Sequence, residues 1–136
     1  MQRSDAVRQG MLDFYERLSA GEVGAFDDVV SSDPATIVIG TAPGEFVRER
    51  DRLRFGFEAE GARIEGGDPD AYEEGDLGWL TDEPTFHFPG DVSIKARVTA
   101  VLHKEDDRWK LLHMHVSVGV PDDEVAELQK RWETAP

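Results

Sequence analysis

The chain has no cysteine, which excludes disulfides and thiolate-held metals at the outset. It is also short of cations: 15 Lys and Arg stand against 29 Asp and Glu, a formal charge of −14. A field of that sign repels phosphate backbones and anionic lipid headgroups, because both are bound by neutralising their charge with Lys and Arg. Nucleic acid and membrane are therefore not expected partners. The acid is spread over both halves of the chain and reads as solubility. Long apolar runs are missing too, and none approaches the roughly 20 residues that a membrane span needs. Residues Met1 to Asp5 carry no apolar signal core and lead directly into an amphipathic pattern, so a cytoplasmic protein is expected.

What is present fits one domain, 1–136. A chain of this size buries roughly 65–70% of its unfolded surface without staples. Ser4 or Asp5 caps a first helix with Val7, Met11, Phe14, Tyr15 and Leu18 at helical spacing, stopped by Ala20-Gly21. A shorter helix opens at Glu22, carries Val23, Phe26, Val29 and Val30, and ends before Pro34. Ala35 to Ile39 reads as a strand, Thr41 to Gly44 as a turn, and Glu45 to Val47 as a brief return strand. A third helix is expected over Arg50 to Glu60 and a strand over Ala62 to Glu65, followed by a polar break from Gly66 to Asp70. Leu77 to Thr81 and Thr85 to Phe88 read as one interrupted strand, with Pro84 at an edge or bulge because it cannot donate to a ladder. A long hairpin follows, with arms Ser93 to His103 and Trp109 to Val118, and a last helix is capped near Pro121 and runs to about Trp132. Helices first and strands last is an α+β order, with a curved antiparallel sheet wrapped around the N-terminal helices.

Alternation splits the hairpin by face. In the first arm Ile94, Ala96, Val98, Ala100 and Leu102 share an apolar face, opposite Lys95, Arg97, Thr99, Val101 and His103. In the second arm Leu112, Met114, Val116 and Val118 share a face, opposite Trp109, Leu111, His113, His115 and Ser117. The clean face belongs on the helices. The mixed face, with Arg97, Thr99, Trp109, Leu111, His113, His115 and Ser117, has the composition of a subunit interface, so a homodimer is expected.

The run Lys95 to His103, the acidic turn after it, and Arg108 to Ser117 resemble the terminal hairpin of nuclear transport factor 2-like proteins. The likeness is to the SnoaL-like group in particular, together with the association domain of calcium/calmodulin-dependent kinases. Phe26-Asp27-Asp28, Ile37 to Thr41 and Gly44-Glu45-Phe46 agree with it upstream. The resemblance implies a cone with a pocket between sheet and helices, and dimers made through the outer sheet face. It implies no single reaction, since this fold hosts isomerases, dehydratases, cyclases, transport factors and assembly modules.

Tyr15, Phe26, Trp79, Phe88 and Met114 are the candidate pocket residues for a small apolar ligand. His113 and His115 share a face, as metal-binding pairs do, but the facing arm offers Arg97, Thr99 and His103, with no carboxylate. Interface hydrogen bonding is the favoured role, with no metal and no cofactor. Arg97 is either an interface ion-pair partner or an anchor for an anionic ligand. The steroid isomerase branch of the family needs a helix tyrosine, a strand carboxylate and a second aspartate. The matching positions here hold Phe14, the carboxylate-free run Thr36 to Gly40, and Thr99. A dehydratase-like pairing of His87 with His113 stays open. Two functions are carried forward: a dimeric small-molecule-binding or assembly module, and a lyase, isomerase or cyclase acting on a hydrophobic substrate.

Overall fold

Ser4 starts the first helix by accepting the Val7 N–H at 3.1 Å, and its own hydroxyl donates to Glu73 at 2.6 Å. One side chain thus caps the helix and fastens it to the sheet. The computed structural model describes residues 1–58 and 61–134. The elements are β1 (Gln2–Arg3), α1 (Asp5–Ser19), α2 (Ala25–Val29), β2 (Ile37–Ile39), β3 (Phe46–Val47), α3 (Arg50–Glu58), β4 (Arg63–Glu65) and β5 (Asp70–Glu74). After them come β6 (Leu77–Asp82), β7 (Thr85–Phe88), β8 (Val92–Lys95), β9 (Arg97–Glu105), β10 (Arg108–Ser117) and α4 (Asp122–Thr134). The third helix was expected to reach Glu60; Ala59 and Glu60 lie outside the described residues, as do the last two positions of the chain.

The described strands form two sheets, ordered β1-β5-β6-β9-β10-β2-β3 and β4-β7-β8. Every pairing is antiparallel except β10 with β2, which is parallel. The α+β class is as read from the sequence. Two short strands, β1 and β5, were not; β5 begins at Asp70, the last residue of the expected polar break.

The sheets separate where proline dictates. Pro84 has no N–H to continue the β6–β9 ladder, and its carbonyl takes the Ala96 N–H at 2.9 Å. Both strands break at that level, so the first hairpin arm divides into β8 and β9 at Ala96. The tip of the ribbon, β7 with β8, leaves the large sheet and pairs with β4. Ser19 at the end of α1 accepts the Ile64 N–H at 2.8 Å and pins this small sheet to the helix.

The core lies between α1 and the concave face: Val7, Met11, Phe14 and Tyr15 meet Leu80, Val98, Ala100, Leu102, Leu111 and Met114. Here the expected facing of β10 is corrected. The register shifts between Leu111 and His113, with Leu111 opposite Leu102 and His113 opposite Val101. Leu112 is the extra residue of a β-bulge, and alternation inverts across it. Leu111, placed on the interface by strict alternation, is wholly buried, and Trp109 packs against the core beside it. Met114 and Val116 also point inward, while His113, His115 and Ser117 keep the outer face with Arg97 and Thr99.

The bulge makes a direct prediction about two adjacent leucines. Leu111→Ala should cost about 2–5 kcal/mol, the range for emptying a buried leucine site. Leu112→Ala should cost about 1 kcal/mol or less. Urea unfolding monitored by circular dichroism measures both; equal losses would contradict the bulge.

Candidate functional site

The bend at Pro84 leaves a space that α1 and the large sheet do not fill. It is a cavity of about 280 Å³ bounded by the end of α1, α3, the β2–β3 turn, the small sheet and the inner face of β10. Its walls are mostly apolar, with Phe57, Ile64, Phe86, Phe88, Ile94 and Met114 among them. Phe86 and Phe88 are two residues apart on β7, so both face inward, their rings 6.4 Å apart.

Each wall has a local cause. The link from β4 to β5 runs close to α1 because Gly66 has no side chain: a Cβ there would stand 2.5 Å from Leu12 and 3.5 Å from the Tyr15 ring. On the other side α3 is clamped to α2. Arg54 meets Asp27 at 2.5 Å, Arg50 donates to the Ser31 carbonyl at 2.9 Å, and both guanidinium groups sit over the Phe26 ring, at 4.6 and 4.8 Å. The Arg54 bond, with Arg50 adding, holds the Asp27 carboxyl below the usual carboxylate range. So fixed, α3 turns Leu53 and Phe57 into the interior and presents Arg52 and Gly56 to the cavity mouth.

Polar groups on the walls are few. Tyr15 is 2% exposed, and its hydroxyl is buried with no hydrogen-bond partner. Burial raises its pKa well above the ordinary tyrosine value, and the charge of nearby Asp82 adds to the shift. The phenol is thus a proton donor that resists becoming a base. Asp82 is itself buried, accepts the Gly67 and Glu83 N–H groups at 3.3 and 2.9 Å, and still has its pKa raised by desolvation. It stands behind the wall and does not line the cavity. At the mouth, Thr41 and Glu45 come from the β2–β3 turn and Arg52 from α3.

Of the pocket residues expected from sequence, Tyr15, Phe88 and Met114 line this cavity. Phe26 does not: it is wholly buried one layer behind, its ring 6.0 Å from that of Phe57. Trp79 is on the outside of the sheet, 37% exposed and stacked on Tyr72 at 4.8 Å. Its neighbour Gly78 explains this, because a Cβ at Gly78 would meet Val7 at 2.7 Å. Only a bare backbone fits under α1 at that position, so the odd-numbered residues of β6 face out. Arg97 is also outside, donating to the Ser117 hydroxyl at 3.3 Å, and does not reach the cavity. His87 lies between Glu65 at 3.0 Å and Ser93 at 2.9 Å, on the face of β7 opposite Phe86 and Phe88. Neither His87 nor His113 lines the cavity, so the dehydratase-like pairing does not form there. Among the described residues no three His, Asp or Glu side chains are grouped closely enough to hold a metal ion. Sequence reasoning missed Arg52, Glu45 and Gly56. The available signal was Gly56 itself, a glycine inside a helix one turn after Arg52.

Tyr15 carries a prediction with a definite sign. Its folded pKa is above its unfolded value of about 10, so the stability tied to the neutral phenol is complete below that value and declines as pH rises above it. Tyr15→Phe should remove this part of the alkaline loss and leave the 295 nm titration of the folded chain unchanged. Urea melts at pH 8 and 11 with parallel absorbance titration measure both effects. A smaller tyrosinate signal in the folded variant would contradict the assignment.

Comparison with known proteins agrees with this architecture. The profile of the SnoaL-like domain family matches residues 7–121. A search of curated proteins returns no match. Among solved structures, a cystatin-like-fold protein from Caulobacter vibrioides superposes with a TM-score of 0.70 at 15% identity, covering 93% of this chain and 96% of that one. An NTF2-like protein of unknown function from Pseudomonas putida gives 0.68 at 13% identity, over 86% and 87%. The CaMKII hub of S. rosetta gives 0.69 at 22% identity, over 85% and 96%. These structures share the fold. With the profile spanning most of its length, the chain belongs to the SnoaL-like domain family, within the nuclear transport factor 2-like fold.

Proposed function

We propose that this chain is a small-molecule-binding domain that takes one apolar ligand into the cone cavity. The observation that carries the reading is Tyr15, which lines an otherwise apolar wall and whose hydroxyl is buried without a partner. Leaving such a group unsatisfied costs about 1–3 kcal/mol, and a ligand with one acceptor atom removes that cost. Gly56 supports the same reading. A glycine inside a helix costs roughly 1 kcal/mol relative to alanine, yet nothing stands within 4 Å of where its Cβ would be. Packing does not require it there, and at the mouth its lack of a side chain leaves the way into the cavity open. The volume is close to that of nine waters at roughly 30 Å³ each, which suits a molecule the size of a bicyclic aromatic.

Naphthalene-2-carboxamide, neutral and carrying a carbonyl acceptor, is a suitable probe in isothermal titration. The wild-type chain should bind it, and Gly56→Leu should abolish binding while raising the melting temperature. Tyr15→Phe should weaken binding about three- to tenfold without destabilising the free protein. No binding by wild type, or binding indifferent to both substitutions, would sink the reading.

A second reading, self-association, rests on a separate observation. On the outer face of the large sheet Leu77 is 52% exposed beside the Trp79–Tyr72 stack, and Val101 pairs with Trp79 in register. A second copy of the chain is the proposed occupant of this face, in keeping with the likeness to a structure described as a hub. Trp79→Glu should weaken a dimer by about 2 kcal/mol or more, the scale of an interface hot spot, with little change in the melt at low concentration. Sedimentation equilibrium at micromolar concentration measures this. A monomeric wild type, or a dimer untouched by the substitution, would refute it.

A further inference from the structure

An apolar ligand leaves one feature of the cavity unused. Arg52 lines the mouth and has no hydrogen-bond or ion-pair partner among the described residues. Its neighbours on the same helix are engaged: Arg50 and Arg54 both bond to Asp27. Arg48, Arg63 and Arg108 likewise make no hydrogen bond or ion pair among the described residues, but of these arginines only Arg52 lines the cavity. Its position follows from the helix. Arg50 and Arg54 are one turn apart on the side that grips α2, whereas Arg52 and Gly56 form the corresponding pair on the cavity side.

The opposite rim carries Glu45, and no ion pair joins it to Arg52. The Glu45 carboxylate accepts the Ala42 N–H at 3.2 Å within its own turn, and it lies where a Cβ on Gly40 would otherwise be. Its role in shaping the β2–β3 turn is therefore accounted for, and that of Arg52 is not. Arg52 offers a planar array of five N–H donors, which matches a carboxylate in two parallel bonds. Tyr15 is buried and Arg52 exposed, so the two polar groups stand at different depths of one apolar cavity.

Resting on the cavity-binding reading above, we propose that the pocket selects a small apolar monocarboxylate. Its hydrocarbon body fills the space beneath α3, and its carboxylate pairs with Arg52 at the mouth. Glu45 opposes that anion from across the rim and lowers the affinity that Arg52 confers.

The test compares 6-hydroxy-2-naphthoate with 6-hydroxynaphthalene-2-carboxamide, which share a ring system and a ring oxygen that can accept from Tyr15, and differ in the charge they bring to the mouth. Both are titrated calorimetrically into the full chain, its Arg52→Gln variant and its Glu45→Gln variant. At low salt, wild type should bind the naphthoate about two- to fivefold more tightly than the amide, the worth of an exposed charged pair. That preference should shrink in molar salt, where the screening length is about 3 Å. Arg52→Gln should erase the preference by weakening the naphthoate more than the amide, and leave the melt unchanged, since Arg52 has no partner to lose. Glu45→Gln should widen it. Equal affinities in wild type, or a preference that survives Arg52→Gln, would overturn the proposal while leaving cavity binding intact. If neither compound binds, the cavity reading fails and this one with it.

Discussion

The hydrogen bond from the Ala96 N–H to the Pro84 carbonyl is the constraint on which the rest of the molecule depends. Without a break there, β6 to β9 would be one long flat ribbon. Its tip would extend past the helices into solvent. Because proline cannot donate, the ladder stops, and the next available carbonyl bond folds both strands together. The tip then carries Phe86, Phe88 and Ile94 back over the end of α1, where they become wall. A seven-stranded sheet with one apolar face would otherwise need helices along its whole length; the fold-over closes the end that α1 does not reach.

The α2–α3 clamp performs a second, local task. Nine residues of α3 are too few to be stable alone in water. Phe26 supplies a flat ring that two guanidinium groups cover, and Asp27 bonds to both. Charge and aromatic surface are shared by two short helices neither of which has much apolar face. Away from the clamp, α3 buries Leu53 and packs Phe57 on the core, and leaves Arg52 and Gly56 exposed at the mouth.

Much of this was legible in the sequence. The first helix, the α+β order, the interruption at Pro84 and the facing of β9 all follow from spacing and turn chemistry. Alternation failed in β10 because an inserted residue has no signature of its own; only the step of three from Leu111 to Met114 between inward residues betrays it. Trp79 misled by its size. Burial there was decided by Gly78, whose lack of a side chain lets the backbone pass under Val7. The mouth of the cavity was the least legible part, since Arg52, Glu45 and Gly56 come together only after α3 and the β2–β3 turn have been positioned by residues far away in sequence. Charged residues in a helix read as surface, and Arg52 is on the surface; what spacing does not reveal is that a pocket opens beside it.

The parallel pairing of β2 with β10 has a consequence for how the chain is made. Val38 and Ile39 pair with β3 close by, but the other edge of Ile37 to Ile39 finds its partner only at His113 to His115, so a nascent chain holds β2 half-paired until β10 has been made. During that interval β2 presents an unpaired edge, rich in β-branched residues and open to pairing with other chains. Closure of the large sheet at β2, and with it the anchoring of the β2–β3 turn that bears Thr41 and Glu45, therefore waits for a partner distant in sequence.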